Sequence, residues 1–249
     1  MSKTVFDEDE PRFLPAGETA LVVEFGRTIH PAIHDKVLEL DRALSRKPIE
    51  GVIESVPTYR SLMIHFDPRR LTTEALIQTL RHLPPAPDLA ARKPKRWRIP
   101  VCYQRPYAED LAEVSEILFL PEERIVALHS GVAYRVYMYG FSPGFTFLGG
   151  LPGELGLSRR ASPRSPAPPG SLLVAAGQAL ITSFAMPTGW YNLGRTPVRV
   201  FDPRRNPVFL ADIGDEVVFE PIDKRTFERL DEAAAEGALI AEIEPETVV

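Results

Sequence analysis

The chain has 249 residues, 44% of them hydrophobic and 25% charged, which is enough to bury one sizeable core or two smaller ones. A net charge of -5 gives no electrostatic reason to bind nucleic acid, and the single cysteine, Cys102, excludes an intrachain disulfide and a multi-cysteine metal site. The acidic stretch Met1–Glu10 holds no apolar signal region and no membrane-length apolar run follows it, so the expectation is a cytoplasmic protein with no membrane contact.

Residues 1–11 are acidic and are expected to be disordered. Ala20–Phe25 then reads as a strand after the turn at Gly17. Pro31–Leu44 has apolar residues at the helical period, with proline at its entry. Gly51–Val56 and Ser61–Phe66 form an expected hairpin about Pro57–Arg60, and Thr72 or Thr73 caps a helix through Arg81. Strand, helix, two strands and helix predict a small α+β domain with an antiparallel sheet over residues 12–83. Residues 84–95 are proline-rich and then basic, and read as a linker.

The second domain, residues 96–223, opens with the strand Arg96–Tyr103. Helices are expected over Asp110–Leu118 and Pro121–His129, and a strand over Tyr134–Tyr139. Short β segments then follow at Ser171–Ala176, Ala179–Phe184, Val198–Phe201, Val208–Leu210 and Glu216–Glu220, the spacing of a barrel. Residues 224–249 are read as a helix, Thr226 to about Glu242, and a tail.

The stretch Tyr134–Leu151 organises this half. Its strand breaks into a loop in which Gly140, Pro143 and Gly144 permit sharp turns while Phe141, Phe145 and Phe147 supply apolar mass. Such a loop either walls a pocket or plugs a barrel end. No P-loop, dinucleotide fingerprint, His-Glu-x-x-His or nucleophile elbow occurs. Arg195 could hold a carboxylate or phosphate, or pair with Asp202 or Asp212. Gln178 and Asn192 offer amides to a ligand or to a turn, and Trp190 is a stacking platform or core. Cys102 reads as a small core residue, and no metal ligand set is expected.

Three segments carry a resemblance: Pro57–Pro68, the loop Gly140–Leu151, and Pro169-Gly170-Ser171 with Gln178 and Gly189–Pro197. Together they resemble the KipI / PxpB family, also called allophanate hydrolase subunit 1, from about Phe13 to Ile222. The resemblance implies an α+β N-terminal domain followed by a mainly-β cyclophilin-like barrel. It also implies a non-autonomous subunit of an ATP-dependent amidohydrolase that cleaves 5-oxoproline or a related small amide. Its partners would be a C-type subunit, similar to allophanate hydrolase subunit 2, and an A-type lactam-utilisation subunit. ATP would act through the complex rather than through a P-loop. Other members of such a family inhibit a histidine kinase or form half of a carboxyltransferase acting on urea-like substrates.

His129 matches a histidine common in that family, which makes it an acid/base candidate; a histidine favoured by a helix C-terminus is the alternative. Gly140, Phe141, Pro143, Gly144, Phe145, Gln178, Trp190, Asn192 and Arg195 are the expected substrate- or nucleotide-binding residues. The sequence departs from the family pattern at Thr146, Phe147, Ala179, Leu180, Thr182, Ser183 and Thr188. Leu180 in place of glycine is expected to fill space beside the pocket.

Overall fold

The computed structural model describes residues 10–84 and 93–245. Most of the expected disordered N-terminus and most of the expected linker lie outside the described residues. The chain divides into two compact units, Met1–Lys93 and Pro94–Val249.

The first unit is a four-stranded antiparallel sheet, in the order β1 (Arg12–Pro15), β2 (Ala20–Glu24), β4 (Ser61–Phe66), β3 (Val52–Pro57), with helices α1 (Pro31–Arg46) and α2 (Thr73–Arg81). Period-two alternation puts Leu21 and Val23 of β2 and Leu62, Ile64 and Phe66 of β4 on one face. The helical stripe of α1, with Val37, Leu40 and Leu44, and Leu76 and Leu80 of α2 close the same core. Each such side chain contributes about 1.5–3 kcal/mol by leaving water. The helix starts are set by capping: the His30 side chain accepts from Ala32 N, and Thr72 accepts from Ala75 N. The β3–β4 hairpin forms as expected.

The second unit is a closed seven-stranded barrel. Its ring runs β12 (Tyr191–Arg195), β9 (Ser171–Ala175), β10 (Gln178–Ile181), β7 (Thr146–Gly149), β6 (Ala133–Tyr139), β13 (Glu216–Ile222), β5 (Arg96–Cys102), and closes where Arg195 of β12 meets Cys102 of β5. The β13–β5 pair is parallel and the other pairs are antiparallel. Closure leaves no edge in the ring, and its interior is filled by Ile99, Val101, Val136, Leu148, Ile181 and Leu193, among others. Helices α3 (Leu111–Leu118), α4 (Glu122–Ser130) and α5 (Lys224–Ala235) belong to this unit, as does a two-stranded ribbon of β8 (Arg164–Ala167) and β11 (Met186–Thr188).

The structure corrects four expectations. The segment read wholly as a loop after Tyr139 contains β7, which pairs with both β6 and β10. Val198–Phe201 and Val208–Leu210 are not strands; they share one bridge, Phe201 to Phe209. The terminal helix stops at Ala235 rather than about Glu242, because Gly237 takes φ +97° and turns the chain. The tail then returns as β14 (Glu242–Ile243), which pairs with β5. Cys102 is fully buried, and burial pushes its thiol pKa up, as suits a core residue.

Candidate functional site

Strand register builds a pocket on the outer wall of the barrel. Along β9 and β10 the side chains alternate across the wall: Leu172, Val174, Ala179 and Ile181 join the interior, whereas Leu173 and Leu180 join a separate cluster outside. Leu173 pairs with Leu180, and Leu180 with Phe147, so these three form one row on the outer face. The β8–β11 ribbon covers this floor with Met186, Pro187 and Thr188, and Trp190 stands edge-on to Phe147 with ring centroids 6.2 Å apart. The resulting cavity is about 300 Å³. That is the size class of a site for a small molecule.

The loop of residues 140–145 forms one rim. It is tied by Ser142 N donating to Gly140 O at 2.7 Å and by Ser183 Oγ donating to Pro143 O. Gly144 takes φ +76°, and a Cβ there would lie 2.2 Å from Cβ of Phe201, so glycine alone allows the loop to pack this closely. Phe145 is buried in the pocket wall. Phe141 holds φ +64° with its ring 81% exposed, a conformation that a bulky residue rarely adopts.

Few polar groups face this cavity. Thr182 Oγ1 already donates to Pro168 O at 2.8 Å and accepts from Ser171 N. Thr188 Oγ1 accepts from Trp190 N at 3.1 Å and keeps its own proton to donate. Arg159 also lines the cavity, and no acidic residue does. Its Nε and Nη2 lie 3.7 and 3.8 Å from where a Cβ of Gly189 would stand.

The family model for the carboxyltransferase domain, subdomain C and D, matches residues 11–211. The chain belongs to this family. It is 30% identical over 230 residues to the B-type subunit of 5-oxoprolinase from Bacillus subtilis (strain 168), a match covering 85% of this chain and 92% of that protein. The solved structure of TTHA0988 is 36% identical with a TM-score of 0.72, over 82% of this chain and 40% of that one. This chain therefore spans less than half of that longer chain. The Kluyveromyces lactis urea carboxylase has a TM-score of 0.76 at 17% identity, over 93% of this chain and 23% of the enzyme, a likeness of fold alone.

Of the residues singled out in the sequence of this carboxyltransferase-family chain, Phe141, Phe145 and Trp190 line the pocket, and Gly140, Pro143 and Gly144 shape its rim. The others lie elsewhere. His129 is buried at the end of α4, with Tyr103 Oη 2.8 Å from Nδ1 and Phe219 stacked on its ring at 4.9 Å. Burial pushes its pKa down to about 3, so the ring is neutral near pH 7. Gln178 sits at the β9–β10 turn. Asn192 is spent within the fold: its Nδ2 donates to Tyr107 O at 3.2 Å and to Glu109 Oε2 at 3.4 Å, and its Oδ1 accepts from Gly194 N. Arg195 pairs with neither Asp202 nor Asp212; its Nε donates to Pro169 O at 2.9 Å. Asp202 instead holds Arg204.

A larger cavity, about 410 Å³, lies beside the end of α5 and contains Arg199, Arg204 and Arg205. Those arginines are engaged: Arg199 with Asp231, Arg204 with Asp202, and Arg205 with the carbonyls of Arg199, Pro207 and Val208. They hold the fold rather than await an anion. Sequence reading missed Arg159, Leu173 and Met186 as pocket residues. The run Arg159-Arg160-Ala-Ser-Pro-Arg164 was visible, but nothing in it distinguishes the arginine that faces the pocket from its neighbours.

Proposed function

We propose that this chain is a non-autonomous subunit of an ATP-dependent amidohydrolase complex that acts on 5-oxoproline or a related small amide. The observation that carries this reading is the match to the B-type subunit of 5-oxoprolinase over 92% of that protein's length, joined to a preformed outer-wall pocket of about 300 Å³. The finer fold assignment, an α+β domain followed by a cyclophilin-like barrel, belongs to the same proposal, as does a cytoplasmic location.

Hydrolysis of an unactivated lactam needs an electrophile, a nucleophile and a base. The pocket lining offers aromatic walls, two threonine hydroxyls and one arginine, with no histidine, carboxylate or cysteine among them. It can bind and orient a small ring and exclude water from it, while the reacting groups come from a C-type partner subunit. A nucleoside triphosphate carries several negative charges and fits poorly beside one arginine without a phosphate-cradling loop. We therefore place ATP on the partner subunits. Four residues that depart from the family pattern, Phe147, Leu180, Thr182 and Thr188, line the pocket, which is why the substrate class extends to relatives of 5-oxoproline.

A second reading is favoured by the carboxyltransferase family to which the chain belongs: half of a carboxyltransferase working on a urea-like substrate. The two separate on cofactor dependence. The tagged chain, purified with its native partners, is assayed for ATP hydrolysis dependent on 5-oxoproline. Turnover by the complex and none by the chain alone is the expected result. Turnover dependent on a biotinylated carrier would select the second reading instead. If no partner co-purifies, or a histidine kinase does, both catalytic readings fail.

A further inference from the structure

We infer that Arg159 is the carboxylate-binding residue of the outer-wall pocket, which therefore takes small monocarboxylates whose flat ring lies against Phe147, Leu180 and Trp190. The inference rests on the reading that this pocket holds the substrate, and it names the substrate class.

Charge pairing within one short segment carries the argument. Three arginines follow one another at 159, 160 and 164. Arg160 Nη1 donates to Glu113 Oε1 at 2.7 Å, and its Nη2 lies 3.2 Å from Asp110 Oδ1. Arg164 Nη1 donates to Asp110 Oδ2 at 2.6 Å, and its Nη2 donates to Glu109. The carboxylates of this region are thus used on the two neighbours. Arg159 makes no hydrogen bond and no ion pair among the described residues.

Arg159 is an exposed residue on the lining of the cavity, and its backbone is positioned by its neighbour. Arg160 N donates to Gly189 O at 2.8 Å, which sets the backbone of residues 159–160 against the Gly189–Trp190 wall. The guanidinium lies beside Gly189, with Nε and Nη2 at 3.7 and 3.8 Å from where a Cβ of that residue would stand, and both residues line the cavity. Most of the remaining lining is apolar, so a ligand ring seated on it would bring its carboxylate to Arg159 partly shielded from water. A single planar fork of donors matches a single carboxylate, not a polyphosphate. The Thr188 hydroxyl supplies a second donor near the same wall, suited to a ring carbonyl.

The test is an NMR titration of the full-length chain with three probes: 5-oxoproline, 2-pyrrolidinone, which is the same ring without the carboxylate, and benzoate. The expected result is that the two carboxylates bind at least about tenfold tighter than 2-pyrrolidinone. Arg159→Gln removes that preference and leaves 2-pyrrolidinone binding unchanged, and Arg159→Lys restores part of it. Retained preference in Arg159→Gln, or no binding of either carboxylate by the parent chain, overturns the inference. The functional reading fails separately. Turnover of 5-oxoproline by the assembled complex with KM unmoved by Arg159→Gln would sink this inference and spare that reading. Arg159-dependent benzoate binding without 5-oxoproline turnover would do the reverse.

Discussion

His129 lies in the last turn of α4 with Nε2 unbonded and Nδ1 against Tyr103, and burial holds its pKa at about 3. The unfolded chain restores an ordinary value near 6.5. The folded state therefore binds fewer protons between those two values, and stability rises with pH across that window, by at most ~1.4 kcal/mol per pH unit from this group. It is fully present above about 6.5 and is lost as pH falls toward 3. Urea midpoints measured at pH 4, 5, 6 and 7 should fall toward acid, and His129→Phe should flatten part of that slope. An unchanged slope would mean that the ring is solvated. At this scale the sequence was informative where a residue type carries its own geometry. The glycine-and-aromatic loop that carries Phe141 and Phe145 stands out in the sequence, as does Trp190 beside Gly189, and all three line the cavity. Arg159 does not stand out, because whether a guanidinium is paired depends on Asp110 and Glu113, which lie far from it along the chain.

The segment from Arg159 to Arg164 is fastened to the start of α3 by Asp110, which also accepts from Asn192 N at 2.7 Å. Removing that carboxylate leaves two mostly buried arginines short of a partner and one strand amide unsatisfied. Asp110→Ala should cost about 3 kcal/mol in urea denaturation and loosen the segment that carries Arg159. A loss under about 1 kcal/mol would show that Glu109 and Glu113 suffice. The rim loop makes an equally sharp prediction. Gly144→Ala adds a Cβ where Phe201 already stands and forces a left-handed backbone on alanine, so it should lower stability by about 2 kcal/mol or more. An unchanged melting temperature would mean that the loop moves aside freely. Elements with long, clean periodicity, such as α1 and β4, were legible to within a residue or two. β7 was not, since four residues set between glycines look like a loop until β6 and β10 pair with them. The terminal helix was overextended because its alanine-rich sequence has high helix propensity, which Gly237 overrides.

At the scale of the whole molecule, each of the two units encloses its own core, and in the second unit the row of Phe147, Leu180 and Leu173 places a pocket on the outside of the closed ring. What the sequence displays at this scale is a proline-rich stretch between two different periodicities. Ring closure is not displayed there, since it rests on Arg195 meeting Cys102, a pairing between distant segments. The location of the pocket followed from register, which a single sequence does not display. The most direct test of the central claim uses the assembled complex bearing Leu180→Phe, which fills the floor of the cavity from a residue that is 5% exposed. With assembly and melting temperature controlled, 5-oxoproline-dependent ATP hydrolysis should fall by about tenfold or more. Full turnover in an intact Leu180→Phe complex would place the substrate elsewhere and contradict the account.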